Sequence, residues 1–133
     1  MSYKIIWEYL YNEINDIPKL NTRTWNYEKT GIDTFPNAII YPEPTWSRQI
    51  IKDTNNYTIN TIYVVRITDA NKDRQVMEDR MRELVDQALD KIRKINQSCE
   101  MYNITTDIRW GYDNSEQPKR VAELIVSATT ITK

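Results

Sequence analysis

The side chains that could do chemistry in this sequence are carboxylates, arginines and aromatic rings, because the chain contains no histidine. Histidine is the commonest general base and metal ligand, so Ser-His and Cys-His nucleophile pairs are excluded. Only two glycines are present, Gly31 and Gly111. Loops that cradle phosphate groups need several glycines close together. The sequence therefore predicts no catalytic, cofactor-binding or metal-binding residues.

One acidic run has the spacing of a calcium loop. Asp69, Asn71 and Asp73 alternate as the first ligands of an EF-hand do. That loop also needs a glycine at its sixth position and a glutamate at its twelfth, where this chain has Arg74 and Arg80. Side-chain oxygens of this kind are also typical of helix N-termini. We therefore predict that they cap a helix and bind no metal.

Two carboxylates on neighbouring predicted strands, Asp107 and Glu123, are the candidates for acid–base chemistry. Carboxyl groups that lie close together can share a proton. Arg109 and Arg120 are near them in sequence, which favours solvated charges instead. The single cysteine, Cys99, has neither a histidine nor a close basic neighbour, and we expect an inert thiol.

The aromatic residues are the stronger signal. The chain has nine Tyr, four Trp and one Phe, so most of its large rings carry a polar group. Aromatic residues beside arginine can stack nucleic-acid bases, as Trp46 with Arg48 or Trp110 with Arg109 would. The same residue types anchor protein interfaces, and a net charge of −1 favours protein contact over nucleic acid. The predicted interface residues are Trp25, Tyr27, Trp46, Arg48, Trp110 and Tyr112.

The sequence leaves two of these assignments open. Trp25 and Tyr27 lie in a polar connection, residues 19–34, where they either pin the loop to the body or bind a partner. Trp46 follows Pro42 and Pro44, which limit backbone pairing and suit a sheet edge. Residues 43–56, with Trp46, either reach a neighbouring subunit or another assembly partner from that edge, or Trp46 packs on helices of its own chain.

A strand and a helix organise the elements that position these residues. Every second residue from 57 to 68 is apolar or threonine, which predicts a strand with one buried face. From Met77 onward the apolar residues recur every three or four positions, which predicts a long amphipathic helix. Its buried positions are Met77, Met81, Leu84, Val85, Ala88, Ile92 and Ile95.

The other elements complete an α+β fold. Residues 3–15 predict a helix, and residues 35–41, 45–52, 101–112 and 120–132 predict strands. Strands 45–52 and 57–68 flank the turn-forming residues 53–56 and should form an antiparallel hairpin. We expect an antiparallel or mixed sheet of about four to five strands with two helices packed on it, in the order α-β-β-β-α-β-β.

The length of 133 residues suits a single domain, residues 1–133. Residues 1–11 lack the basic and apolar regions of a signal peptide, and no apolar stretch is long enough to span a membrane. We therefore expect neither secretion nor membrane contact.

The order of elements resembles the tail terminator and tail completion proteins of long-tailed bacteriophages over nearly the whole chain. The resemblance rests on the order of the predicted helices and strands and on the residues that separate them, since no diagnostic motif is shared. The matching stretches are an N-terminal helix, Phe35-Pro-Asn-Ala-Ile-Ile-Tyr-Pro, Trp46-Ser-Arg, Tyr57-Thr-Ile-Asn-Thr-Ile-Tyr-Val-Val-Arg-Ile, Val76-Met-Glu-Asp-Arg-Met-Arg-Glu-Leu-Val-Asp-Gln-Ala-Leu-Asp-Lys-Ile, and a hairpin from Trp110-Gly-Tyr to Ala122-Glu-Leu-Ile-Val.

This resemblance implies a non-enzymatic virion protein, a homo-oligomeric ring of six copies that caps the tail tube and presents a docking surface to the head. The implied partners are other copies of the chain, the tail tube protein and a head–tail connector protein, with DNA only as passing cargo. The implied location is the tail–neck junction, and the host cytoplasm during assembly. Two alternatives remain: another phage neck component, or a small α+β module that binds peptide or single-stranded nucleic acid.

Overall fold

The computed structural model describes residues 3–18, 20–23, 35–42, 47–50, 57–98, 101–113 and 118–132. Two helices and six strands lie within these residues. The helices are α1 (Tyr3–Asn15) and α2 (Arg74–Ser98). The strands are β1 (Asn21–Arg23), β2 (Asn37–Pro42), β3 (Ser47–Ile50), β4 (Tyr57–Ala70), β5 (Met101–Asp113) and β6 (Lys119–Thr132).

Helix α2 begins at the residues predicted to cap it. The Asp73 Oδ1 accepts hydrogen bonds from the backbone N–H groups of Gln75 at 3.0 Å and Val76 at 3.2 Å. This is the N-cap arrangement, in which a side-chain oxygen satisfies donors that have no partner within the helix. The predicted helix phase is confirmed, because these residues are buried: Met77, Met81, Leu84, Val85, Ala88 and Ile92. The predicted burial of Ile95 concerns a side chain outside the described ones.

Strand β4 is the centre of the sheet. It pairs with β6 along its whole length, from Tyr57 opposite Thr132 to Ala70 opposite Lys119. On its other side it pairs with two strands in turn, β3 near its start and β2 near its end. All three pairings are antiparallel, and the predicted hairpin of β3 and β4 is confirmed. Strand β5 pairs with the far side of β6 and is the outermost described strand on that side of the sheet.

The α+β fold and the predicted order of elements are confirmed, with one addition. The three-residue strand β1 lies within the predicted connection 19–34 and pairs in parallel with β2. The sheet is therefore mixed, and it has one more strand than the upper end of the predicted range. The prolines that flank residues 35–41 are typical of an edge strand or of the start of a strand. Strand β2 is not at the edge, because β1 pairs with its outer side.

Both helices pack on the same face of the sheet. Leu10, Ile14 and Ile17 from the α1 segment join the stripe of α2 in one buried cluster. The sheet contributes alternate residues to this cluster: Ala38, Ile40, Tyr63, Val65, Ile67, Ala122, Leu124, Val126 and Ala128. In the described part of the chain, neither helix has the length and apolar character needed to cross a membrane.

Candidate protein-contact surface

The structure separates the predicted interface residues. Trp110 and Tyr112 lie on β5, whereas Arg48 lies on β3, at the opposite side of the sheet. The two also lie at different heights along β4. Arg48 pairs with Ile59 of β4, whereas Trp110 pairs with Ala122 of β6, which in turn pairs with Ile67 of β4. Eight residues along a strand span roughly 25 Å. Arg48 therefore does not share a site with the β5 aromatics, and Trp25, Tyr27 and Trp46 lie outside the described residues.

The described candidate surface is a row of three large side chains on β5, which we call the β5 stripe: Ile108, Trp110 and Tyr112. Their exposed fractions are 37%, 41% and 46%. In the register of the sheet, Ile108 lies opposite Leu124 and Trp110 opposite Ala122, and both partners are completely buried. The stripe is thus on the face that the helices cover, but at its outer margin, where α2 leaves it open to solvent.

The tyrosine end of the stripe is held by a cluster around Arg120. The Arg120 guanidinium carbon lies 4.9 Å from the centre of the Trp110 ring and 4.4 Å from that of Tyr112. Its Nη1 donates a hydrogen bond to the Gly111 carbonyl at 3.2 Å. The Tyr112 hydroxyl donates to Glu78 Oε1 of α2 at 2.8 Å. These contacts link β5, β6 and α2, and they fix the orientation of both rings.

Arg120 and Glu78 also form an ion pair, with Arg120 Nε 3.0 Å from Glu78 Oε1. The Nε–H does not point at that oxygen, so the contact is electrostatic without being a hydrogen bond. The buried Nε accordingly has no hydrogen-bond partner among the described residues. Cation–π contacts at partly exposed sites contribute about 0.5–1 kcal/mol each. The stacked rings and the ion pair therefore position Arg120 together.

The acidic run before α2 does not form a calcium loop. The Asp69 carboxylate is fully buried and accepts two hydrogen bonds from Arg80, at 2.6 and 2.7 Å. Asp73 caps the helix, and Asn71 Oδ1 accepts from the Asp73 N–H at 2.9 Å. Capping was thus the correct prediction for Asp73, but Asp69 instead ties the end of β4 to α2. The hydrogen bond to Asp69 raises the pKa of Arg80, and partial burial opposes that shift.

Asp107 and Glu123 share the sheet face away from the helices, but they are not opposite each other. Asp107 lies opposite Ile125, and Glu123 lies opposite Arg109 and accepts a hydrogen bond from the Tyr41 hydroxyl at 3.2 Å. The two residues are diagonal neighbours, about 7–8 Å apart along the sheet, so they are not a directly facing pair. The described residues also contain no cluster of three or more potential metal ligands.

Comparison with known proteins adds no relative. No protein-family model matches this sequence, and a search of curated proteins finds no match. The resemblance to phage tail terminators therefore stays a prediction from the pattern of elements.

Proposed function

We propose that this chain is a non-enzymatic structural protein of a long-tailed phage, which forms a ring at the end of the tail tube and offers a docking surface to the head. Its partners are further copies of itself, the tail tube protein and a head–tail connector protein. DNA passes through the ring without being held. The single observation that carries the proposal is the exposed β5 stripe with its fixed aromatic rings.

The stripe has the chemistry of a protein-contact surface. Trp and Tyr are among the residues whose removal most weakens protein interfaces, because each buries a large area and still offers a polar group. Arg120 and Glu78 hold Trp110 and Tyr112 in place before any partner arrives. Side chains that are already ordered lose less entropy on binding, so the rings act as preorganised anchors.

A ring is consistent with the exposed outer edge of strand β5. Strand β5 has 13 residues and pairs only with β6 among the described strands. Uncovered strand edges are sites of unwanted association, and folded proteins cover or disrupt them. A head-to-tail contact repeated around an axis covers one edge of every copy and leaves no open end. Ring closure therefore supplies what the isolated chain lacks.

The proposal is tested by mixing the purified chain with its polymerising tail tube protein and measuring tube length and bound chain by sedimentation. The wild-type chain should bind tube ends and stop growth. The double variant Ile108→Ser/Trp110→Ser should stay folded, since both residues are exposed, but lose most of its capping activity.

Val76→Ser is the matched control, because Val76 is 45% exposed and lies on α2, outside the stripe. It should cap like the wild type. If the stripe variant caps equally well, the stripe is not the contact surface. If the wild-type chain neither binds tube ends nor shortens tubes, the terminator function itself is wrong.

A further inference from the structure

The outer edge of β5 is the longest unpaired strand edge in the described sheet. On the opposite side of the sheet the outermost strands are β1, with three residues, and β3, with four. A strand that pairs with the whole edge of β5 should be of similar length, because every second residue of an uncovered edge strand directs its N–H and C=O groups outward without a strand partner. Among the described edges, only β5 of a second copy could extend the sheet along this whole length, whereas a head-to-tail neighbour in the ring covers part of it.

We propose that the free chain is a two-fold dimer in which the β5 strands of two copies pair antiparallel, with Ile108 on the symmetry axis. The numbers of two residues that face each other across the interface then add up to 216. The two sheets join into one, and the helices of both copies lie on the same side of it. The state concerned is that of the chain before it meets a tube, which goes beyond the proposed function.

Charge complementarity selects this register. Asp107 and Arg109 are exposed on the face away from the helices, and neither forms an ion pair with a described residue. With Ile108 on the axis, Asp107 of each copy lies opposite Arg109 of the other, so the interface contains this pair twice. Opposite charges directly across strands are stabilising, and like charges are destabilising.

Neighbouring two-fold registers lack this match. An axis at residue 107 would place two Asp107 carboxylates opposite each other, and an axis at residue 109 would oppose two Arg109 guanidinium groups. An axis at residue 110 would set Asp107 opposite Asp113. Among the axes at residues 107 to 110, only the axis at Ile108 pairs opposite charges. An axis at Gly111 would pair Arg109 with Asp113, but it would leave only residues 109–113 of each strand facing the other copy.

The apolar side of β5 agrees with the same register. The β5 stripe lies at the outer margin of the helix-covered face, which is the margin that a second sheet would extend. With the axis at Ile108, Trp110 lies opposite Thr106 of the other copy, and the two Ile108 side chains meet. The exposed part of the stripe is then covered from both sides of the axis.

The dimer and the ring can be tested separately. In a ring built from head-to-tail contacts, each copy uses two different patches, whereas a two-fold contact uses the same patch on both copies. Both contacts would cover the β5 edge, so the dimer must open when a ring forms, and a defect in one assembly need not appear in the other. The Asp107–Arg109 pair belongs to the dimer alone.

The first experiment measures mass in solution by light scattering over a concentration series without tube protein. The wild-type chain should be a dimer. Asp107→Arg sets like charges opposite each other twice and should raise the dimer dissociation constant by about 30-fold or more. Arg109→Asp should do the same, although Arg109 also lies opposite Glu123 in its own chain, so Asp107→Arg is the primary variant.

The decisive arm mixes the two single variants. In the mixed pair every charge meets its opposite, so Asp107→Arg and Arg109→Asp chains should form a heterodimer more tightly than either forms a homodimer. The double variant Asp107→Arg/Arg109→Asp should recover the homodimer. A wild-type chain that is monomeric or already a ring, an Asp107→Arg chain that dimerises normally, or a mixture that fails to pair would overturn the proposal.

A crosslinking experiment tests the axis itself. In antiparallel strands, residues directly opposite are about 4.5–5.5 Å apart between Cα atoms, which suits a disulfide. In a Cys99→Ser background, Ile108→Cys should link two copies under mild oxidation. Thr106→Cys should not, because its position lies opposite Trp110. Equal crosslinking of both variants, or none of Ile108→Cys, would exclude this register.

Discussion

Asp69 is a charged residue on the buried face of a strand. It continues the alternation of Tyr63, Val65 and Ile67, and its side chain is completely buried. Burial of an unpaired carboxylate is costly, and two hydrogen bonds from Arg80 offset that cost. The pair joins the end of the central strand to the helix that covers it.

We expect Arg80→Ala to lower the free energy of unfolding by about 2–3 kcal/mol, because it leaves the buried Asp69 carboxylate without its charged partner and with only the hydrogen bond from the Ala70 N–H. The pair is partly open to water on the Arg80 side, which keeps the loss below that of a fully enclosed pair. Urea denaturation would measure the change. Arg82→Ala, on the exposed face of the same helix, should change stability by less than about 0.5 kcal/mol. Equal midpoints for both variants would contradict the role given to Arg80.

The pH dependence of this pair follows from the direction of the shift. The pKa of Arg80 is raised by its bond to Asp69. A raised pKa contributes stability that is fully present below the pKa of the unfolded chain. That contribution is lost only as the pH rises through the range in which arginine deprotonates. The raised pKa of Arg80 should therefore leave stability unchanged across neutral pH.

Sequence alone placed Asp69 near the start of α2 but not in its correct role. Its position on the core face of β4 was visible in the alternation, and a carboxylate at such a position needs a partner. The partner lies 11 residues away across the strand–helix junction. Only the path of the chain through that junction brings Arg80 to Asp69, so the pair could not be derived from spacing.

At the scale of elements, α2 is the main contributor to the core. We expect Leu84→Asp and Met81→Asp to unfold the protein, because an unpaired buried carboxylate costs several kcal/mol against a total stability of roughly 5–15. Loss of the cooperative thermal transition in circular dichroism would show this. Glu83→Asp provides a matched control on the exposed side and should melt close to the wild type. A normal melt for either core variant would mean that the buried stripe is wrongly placed.

The elements differ in how far sequence determines them. Helix α2 and strand β4 were predictable because long periodic runs record which side is buried. Strand β1 was not, since three polar residues carry no period and their pairing with β2 depends on the returning chain. The shared face of Ile108, Trp110 and Tyr112 was likewise predictable, but their exposure was not, because it depends on where α2 crosses the sheet.

At the scale of the whole molecule, the sheet is covered on one face by two helices and ends in a long strand on one side. That side carries both the β5 stripe and the Asp107–Arg109 charge pattern. The opposite side ends in the short strands β1 and β3. The two sides of the described sheet thus differ in strand length and in the side chains that they expose.

The proposed ring can be observed directly by electron microscopy of tail tubes assembled with the wild-type chain, combined with the mass of the bound assembly. We expect one closed ring at a tube end, with six copies as the resemblance implies, and an open channel wide enough for DNA. Bare tube ends, or chain bound along the sides of tubes instead of at their ends, would contradict it.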